Sequence, residues 1–243
     1  MADRTAGIIV IGNEILSGKV TDANSPFMAQ GLRELGVELR RIVTIPDEVD
    51  LIAEEVRSFG EAYDIVFTSG GVGPTHDDVT MEGIARGLDR KVIVHPKLEE
   101  GIRAFIEGEV NAAQLKMAEV PDGAVLIQDA NLGFPTIQVE NIYILPGIPE
   151  ILVKKFNGLR SRFQAEPYYL KVIYSSWNES AIADSLNQTM REFPELMLGS
   201  YPKIAHPEYR VKLTIESKDE AYVQRAFDRL LDLLTADAVV RTE

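Results

Sequence analysis

The stretch Thr68-Ser69-Gly70-Gly71-Val72-Gly73-Pro74-Thr75-His76-Asp77-Asp78-Val79-Thr80 lies between the apolar run 65–67 and a helical pattern made by Met81, Ile84, Ala85 and Leu88. The run reads as a buried strand, so the stretch is a strand-to-helix loop. Three glycines in four residues allow a sharp turn and leave main-chain N–H groups uncovered, so that an anion such as a phosphate can approach them. The start of the following helix adds unpaired donors and a partial positive charge. Asp77 and Asp78 would repel a bare phosphate at that place, and a divalent cation bound by one or two carboxylates and the substrate phosphates resolves the conflict. The alternative is that Asp78 caps the helix and Asp77 is a solvated turn residue. A dinucleotide fingerprint is excluded because His76 occupies the place of the third glycine, and a Walker loop because no Gly-Lys-Ser/Thr follows.

The strand and helix signals around this loop alternate. Residues 7–11 form a β-branched apolar run closed by Gly12, and Glu14 falls just past its C-terminal end, the edge where open α/β sheets bind ligands. Ser25 with Pro26 reads as an N-cap and first-turn pair, and Met28, Leu32 and Leu35 recur at helical spacing before Gly36. A strand over 37–45, a helix over 48–59 and the strand 63–68 follow, the pattern of a mostly parallel sheet with helices on both faces. A short strand is expected at 92–94, a helix from His95-Pro96, with His95 a turn residue, and weak helicity over 111–118. Lys116 is read there as a solvated lysine on an acidic surface.

Three further strands are expected at 124–127, 136–139 and 142–145, with turns at 129–133 and 140–141. Pro146-Gly147-Ile148-Pro149-Glu150 then makes a second glycine-containing strand-to-helix loop, with Pro149 in the first turn of a helix over 151–156. In a parallel sheet it would emerge on the same edge as the first loop. Polar residues break the periodicity over 161–167. Beyond them the order strand, helix, strand, strand, helix, strand suggests a ferredoxin-like α+β unit. Trp177, the single tryptophan, is assigned to core or interface packing.

Composition narrows the function classes. A chain of 243 residues with 45% hydrophobic content can bury a real core. No apolar run approaches the roughly 20 residues that span a bilayer, and residues 1–4 carry no signal-peptide pattern, so a cytoplasmic location without membrane partners is expected. The absence of cysteine removes disulfides, thiolate catalysis and Cys-ligated zinc. A net charge of -13 argues against a nucleic-acid surface and requires that a phosphorylated ligand be attracted locally.

Ser-Gly-Gly-Val-Gly-Pro-Thr-His-Asp-Asp-Val-Thr is similar to the signature of the molybdopterin-binding (MoaB/Mog-like) fold. Its GGxGPTxDD form is typical of the N-terminal domain of CinA, the competence/damage-inducible protein, and of the corresponding domain of eukaryotic FAD synthase. Further stretches agree in order: Ile11-Gly12-Asn13-Glu14-Ile15-Leu16 with Asp22 and Asn24, VTIPDEV at 43–49, His95-Pro96-Lys97-Leu98, NIYILPGIPE at 141–150 and Gly199-Ser200-Tyr201-Pro202. The last three resemble the FAD synthase domain more than the shorter MoaB proteins.

The resemblance implies a three-layer αβα domain with a mostly parallel sheet over 1–160 and a ferredoxin-like α+β domain over 167–243. It assigns Gly70, Gly71, Gly73 and Thr75, with Ser69, to the phosphates, and Glu14, Asn24 and Asn131 to the substrate cleft. Pro146, Gly147 and Pro149 form the facing loop. Asp77 and Asp78 go to metal and water, with Glu14 as a third ligand. His76 would either orient the nucleophile or brace the loop, and bracing is the preferred reading.

The implied cofactor is a divalent metal (Mg²⁺, Mn²⁺ or Co²⁺), with K⁺ a further candidate. The implied partners are a nucleotide or pterin and further copies of the chain, as a dimer or trimer. The expected activity is hydrolysis of the diphosphate of FAD, ADP-ribose or a relative by a metal-dependent nucleotide pyrophosphatase. The alternatives are molybdopterin binding or adenylyl transfer in molybdenum-cofactor biosynthesis, and a ligand-binding module without chemistry. Neither nicotinamide mononucleotide deamidation nor FAD synthesis is expected of this chain.

Overall fold

The computed structural model describes residues 4–106, 108–128 and 133–243. They form two compact units that divide between Ala165 and Glu166. In the first, β1 (Thr5–Ile11) is buried along nearly its whole length, as a central strand covered on both faces must be. The chain continues through α1 (Asn13–Leu16), α2 (Asn24–Glu34), β2 (Glu38–Ile45), α3 (Val49–Ala62), β3 (Ile65–Ser69) and α4 (Thr80–Gly87). It goes on through β4 (Val92–Val94), α5 (Pro96–Phe105), α6 (Ala112–Lys116), β5 (Glu119–Pro121), β6 (Val125–Ile127), β7 (Thr136–Val139), β8 (Ile142–Leu145) and α7 (Pro149–Leu159).

The main sheet runs in the order β2-β1-β3-β8-β7-β6. β2, β1, β3 and β8 are mutually parallel, while β7 and β6 are added antiparallel. β4 and β5 form a separate antiparallel ribbon. Alternate residues of the central strands feed two apolar clusters. Ile9, Ile11 and Val66 meet Ile52 and Val56 of α3, Ile84 of α4 and Ile102 of α5. On the other face Ile8, Val10 and Phe67 meet Met28 and Leu32 of α2 and Leu152 and Phe156 of α7. The result is the αβα layering expected of the fold. Phe67 is fully buried and lies 5.5 Å from the Phe156 ring and 5.3 Å from that of Phe163, so truncating it to alanine would cost about 3–5 kcal/mol.

α2 begins differently from expectation. Ser25 is inside the first turn, and the carboxylate of Asp22 accepts the N–H groups of Asn24 (2.9 Å) and Ser25 (3.0 Å) and the Ser25 hydroxyl. With Ala23 at the N-cap, the Asp22 carboxylate just before it serves three donors and leaves no role for a serine cap. His95 does cap α5, its Nδ1 accepting the Lys97 N–H at 3.2 Å.

The second unit contains β9 (Tyr169–Ser175), α8 (Glu179–Glu192), β10 (Met197–Pro202), β11 (Val211–Ser217), α9 (Glu220–Leu233) and β12 (Val239–Thr242). Its sheet, in the order β10-β11-β9-β12, is antiparallel throughout, the arrangement of a ferredoxin-like split unit. Ile173, Leu213 and Ile215 pack on Val223, Phe227 and Leu230 of α9, and Trp177 is partly buried against the same cluster. Among the described residues no helix is long and apolar enough to cross a membrane.

Candidate functional site

The strands β1, β3 and β8 are neighbours and parallel, so the loops at their C-terminal ends emerge on one edge. From β1 the chain crosses to β2 on one side, and from β2 it returns past β1 to β3. The edge between β1 and β3 is therefore the topological switch point, where open α/β sheets leave a crevice.

At that edge Gly70 has φ +108, and a Cβ there would fall on the main-chain carbonyl oxygen of Ile11. Only glycine lets β3 turn this close to the end of β1. The turn is locked from α4: the Thr80 hydroxyl donates to the Gly70 carbonyl (2.9 Å) and the Thr80 N–H to the Gly71 carbonyl (3.1 Å). The N–H groups of Gly71, Val72 and Gly73 make no hydrogen bond to any described residue, which leaves them available to an anion.

The second loop closes over the first. A Cβ built on Gly147 would stand 3.4 Å from the Cα of Gly70. Asn24, at the start of α2, ties the two together: its side-chain amide donates to Ser69 Oγ (3.0 Å) and to the Gly147 carbonyl (2.8 Å). Asn24 is only 7% exposed, and its Oδ1 is buried without a hydrogen-bond partner. Pro146 is half-buried beside this contact, and Pro149 occupies the first turn of α7 on the exposed side.

In the loop that leads to α4, Asp78 Oδ2 accepts the Thr75 N–H at 2.8 Å and the Thr75 hydroxyl. Gly73 has no Cβ because the same carboxylate lies against it; a Cβ there would sit 2.7 Å from Asp78 Oδ2. The single Thr75 hydroxyl proton faces both acidic residues. Geometry gives it to Asp78, yet its closeness, followed by the Asp77 N–H and by the nearby His76 and Lys116 side chains, also holds the Asp77 carboxyl below the usual range. Asp77 is thus kept ionised at the surface.

Several expected roles change here. His76 does not brace the loop: its side chain is 98% exposed, with Nδ1 3.8 Å from Asp77 Oδ1, and the bracing falls to Thr75 and Asp78. Glu14 does not complete a three-carboxylate shell. Its carboxylate folds back beside Gly12, and among the described residues no three His, Asp or Glu side chains gather where a metal ion could be held. The reason is position, since Glu14 belongs to α1 after β1, whereas Asp77 and Asp78 lie at the far end of a long loop that runs to α4. Asn131 lies outside the described residues.

Two further residues belong to the site. Asp47 follows the end of β2, holds the Asn13 N–H at 2.8 Å, and reaches toward Gly71. Its place after a parallel strand next to β1 is a signal that sequence could have supplied. Lys116 is half-buried, and its ammonium, rather than standing free, donates to the Thr75 carbonyl. That contact spans 41 positions and has no local signature.

Known proteins are similar to both units. Residues 7–160 match the family described as "Probable molybdopterin binding domain", and residues 167–243 match "FAD synthase, middle domain". A protein of Archaeoglobus fulgidus is 37% identical over 227 residues, which cover 93% of this chain and 96% of that protein. A "Probable FAD synthase" of Caenorhabditis briggsae is 31% identical over 97% of this chain, which spans half the length of that relative (50%). The crystal structure of CinA from Thermoplasma acidophilum, a protein of unknown function, superposes with a TM-score of 0.61 at 28% identity, over 66% of this chain and 98% of that one. The chain belongs to the molybdopterin-binding domain family, in the form that carries an FAD synthase middle domain behind it.

Proposed function

We propose that the first unit binds the diphosphate of a dinucleotide such as FAD or ADP-ribose and hydrolyses it with a divalent cation. The observation that carries this reading is the meeting of two glycine loops, Gly147 over Gly70, beside the unpaired N–H groups of Gly71, Val72 and Gly73. In a protein of net charge -13, bare amides at one edge are the local attraction that a diphosphate needs.

Asp77 and Asp78 are the residues that would hold the cation, Mg²⁺, Mn²⁺ or Co²⁺. They are adjacent, the Thr75 hydroxyl donates to Asp78, and Asp77 is held toward its charged form. When bound, such an ion polarises a phosphoryl oxygen or lowers the pKa of a water. The chain's own contribution is orientation. The Thr80 bonds fix the glycine turn, Asn24 holds the second loop over it, and the Thr75–Asp78 bonds set the direction of the acidic pair. Water adds to phosphorus, the bridging P–O bond breaks, and the water's proton leaves to solvent, giving AMP with FMN from FAD or with ribose 5-phosphate from ADP-ribose.

The test is release of AMP from FAD, ADP-ribose and NAD⁺ with each cation. Turnover that falls at least a hundredfold in Asp77→Asn, with binding retained, supports the reading. Tight binding of a pterin without turnover of any of the three would replace it with a molybdopterin-binding role, the one that the family description favours.

A further inference from the structure

β10 stands at one edge of the second unit's sheet, with β11 on its inner side. Lys203, one step past the Pro202–Val211 pair, donates its N–H to the Arg210 carbonyl at 2.8 Å. Bonded and non-bonded pairs alternate along an antiparallel ladder, so Tyr201 and Gly199 turn their main-chain groups to β11 while Leu198, Ser200 and Pro202 turn theirs outward. The N–H and C=O groups of Leu198 and Ser200 and the C=O of Pro202 make no hydrogen bond to any described residue outside that ladder.

Proteins usually guard such an edge with charge, a register break or a short strand. β2, the long edge of the main sheet, carries Glu38, Arg40 and Arg41. β12 carries Arg241 and a shift in register, and β4, β5 and β6 have three residues each. β10 has six residues, no charged side chain and an unbroken register. In a chain of net charge -13, an uncharged edge is where two copies meet at least electrostatic cost.

Its side chains are spaced to match a partner of the same sequence. Leu198 packs into the cluster on the helical side, so Met197, Gly199 and Tyr201 lie on the opposite face, where Met197 is 39% and Tyr201 51% exposed. A second β10 laid antiparallel, with a two-fold axis at Gly199, sets Leu198 against Ser200 of the other copy, and their outward N–H and C=O groups exchange. The same register puts each Met197 opposite the other copy's Tyr201, a thioether against an aromatic ring. Each such row ends in Glu216, beside Met197, and in Lys212 of the other copy, beside Tyr201, so its two ends carry opposite charges. Moving the axis to Ser200 would face Leu198 with Pro202, which has no N–H to give. Moving it to Leu198 would face Ser200 with Leu196, whose N–H is taken by Phe193.

We propose that β10 is the surface through which two copies of this chain pair, edge to edge, joining two four-stranded sheets into one across an axis at Gly199. An edge contact of this length is small as interfaces go, so the association is weak and depends on concentration.

Sedimentation equilibrium of the whole chain from about 1 µM to about 1 mM should show the mass rising toward that of a dimer. Met197→Lys with Tyr201→Lys changes two exposed positions, sets lysine against lysine and should weaken the association about tenfold or more. Met197→Lys with Tyr201→Glu sets opposite charges across the axis and should associate close to the parent. The chain has no cysteine, so the register can be read by cross-linking. Met197→Cys with Tyr201→Cys should give a covalent dimer under mild oxidation. Either change alone leaves the two sulfurs about 13 Å apart along the strands and should not.

A parent that stays monomeric over the whole range, or a double-lysine protein that folds and associates as the parent does, would overturn the proposal. So would a double-cysteine protein that forms no covalent dimer, or single-cysteine proteins that cross-link as readily as the double one.

Discussion

The carboxylate of Asp78 grips Thr75 twice, through its N–H and its hydroxyl, and so closes a small ring of hydrogen bonds in the loop before α4. Asp78 is then a support for the loop as well as a charge beside it, and the two roles can be separated. Asp78→Asn keeps an oxygen acceptor for the Thr75 N–H but removes the charge, whereas Asp78→Ala removes both. Amide exchange of residues 72–78 should stay near the parent rate in the first and rise about tenfold or more in the second, while cation-dependent turnover falls in both.

Gly70→Ala places a methyl against the Ile11 carbonyl at a φ of +108 that L-residues rarely adopt. The expected loss is about 2 kcal/mol or more of unfolding free energy, measured by urea denaturation. Alanine at Gly133, where a Cβ would meet nothing within 4 Å, should be neutral and serves as the control.

Asn24→Ala removes both bonds that join Ser69 and Gly147, leaving a hydroxyl and a carbonyl without their donor. A loss of about 2 kcal/mol in stability is expected. Because the bonds hold the second loop over the first, pyrophosphate affinity should fall as well; an unchanged affinity would show that the Pro146–Pro149 turn takes no part in binding.

Acid should weaken the second unit in a defined window. The Arg229 guanidinium, followed by the Gln188 amide, pulls the Glu192 carboxyl down to about 2 from 4.5. A group depressed in the folded state adds stability above its unfolded value and loses it as pH falls through the folded one. The contribution of this pair should therefore be complete above about pH 4.5 and fade toward pH 2. Both side chains are more than a third exposed, so the effect is small and salt-sensitive. Glu192→Gln should flatten that part of the acid-denaturation curve.

Much of the first unit could be read from its sequence because its strands are short and apolar on both faces: Ile8 and Ile9, or Val66 and Phe67, send neighbouring side chains into opposite clusters. The two glycine loops were equally legible, being written in consecutive residues. The mostly parallel sheet was legible too, and the expected turn at Glu140, with φ +52, and Asn141 makes β7 and β8 its antiparallel pair. The remainder depended on contacts with no local period. Lys116 reaches Thr75 across 41 positions, and the valines of β4 look like an ordinary buried strand until the ribbon they form with β5 is seen to line an open hollow.

The apolar clusters are separate by unit: those around the main sheet draw on residues no later than Ala165, and the third draws on none before Tyr169. A module whose interior is complete can be gained or lost as a cassette without tearing open its neighbour. The Thermoplasma acidophilum structure, matched almost end to end by only 66% of this chain, is in keeping with such a history. In calorimetry residues 166–243, expressed alone, should accordingly show a cooperative melt of their own.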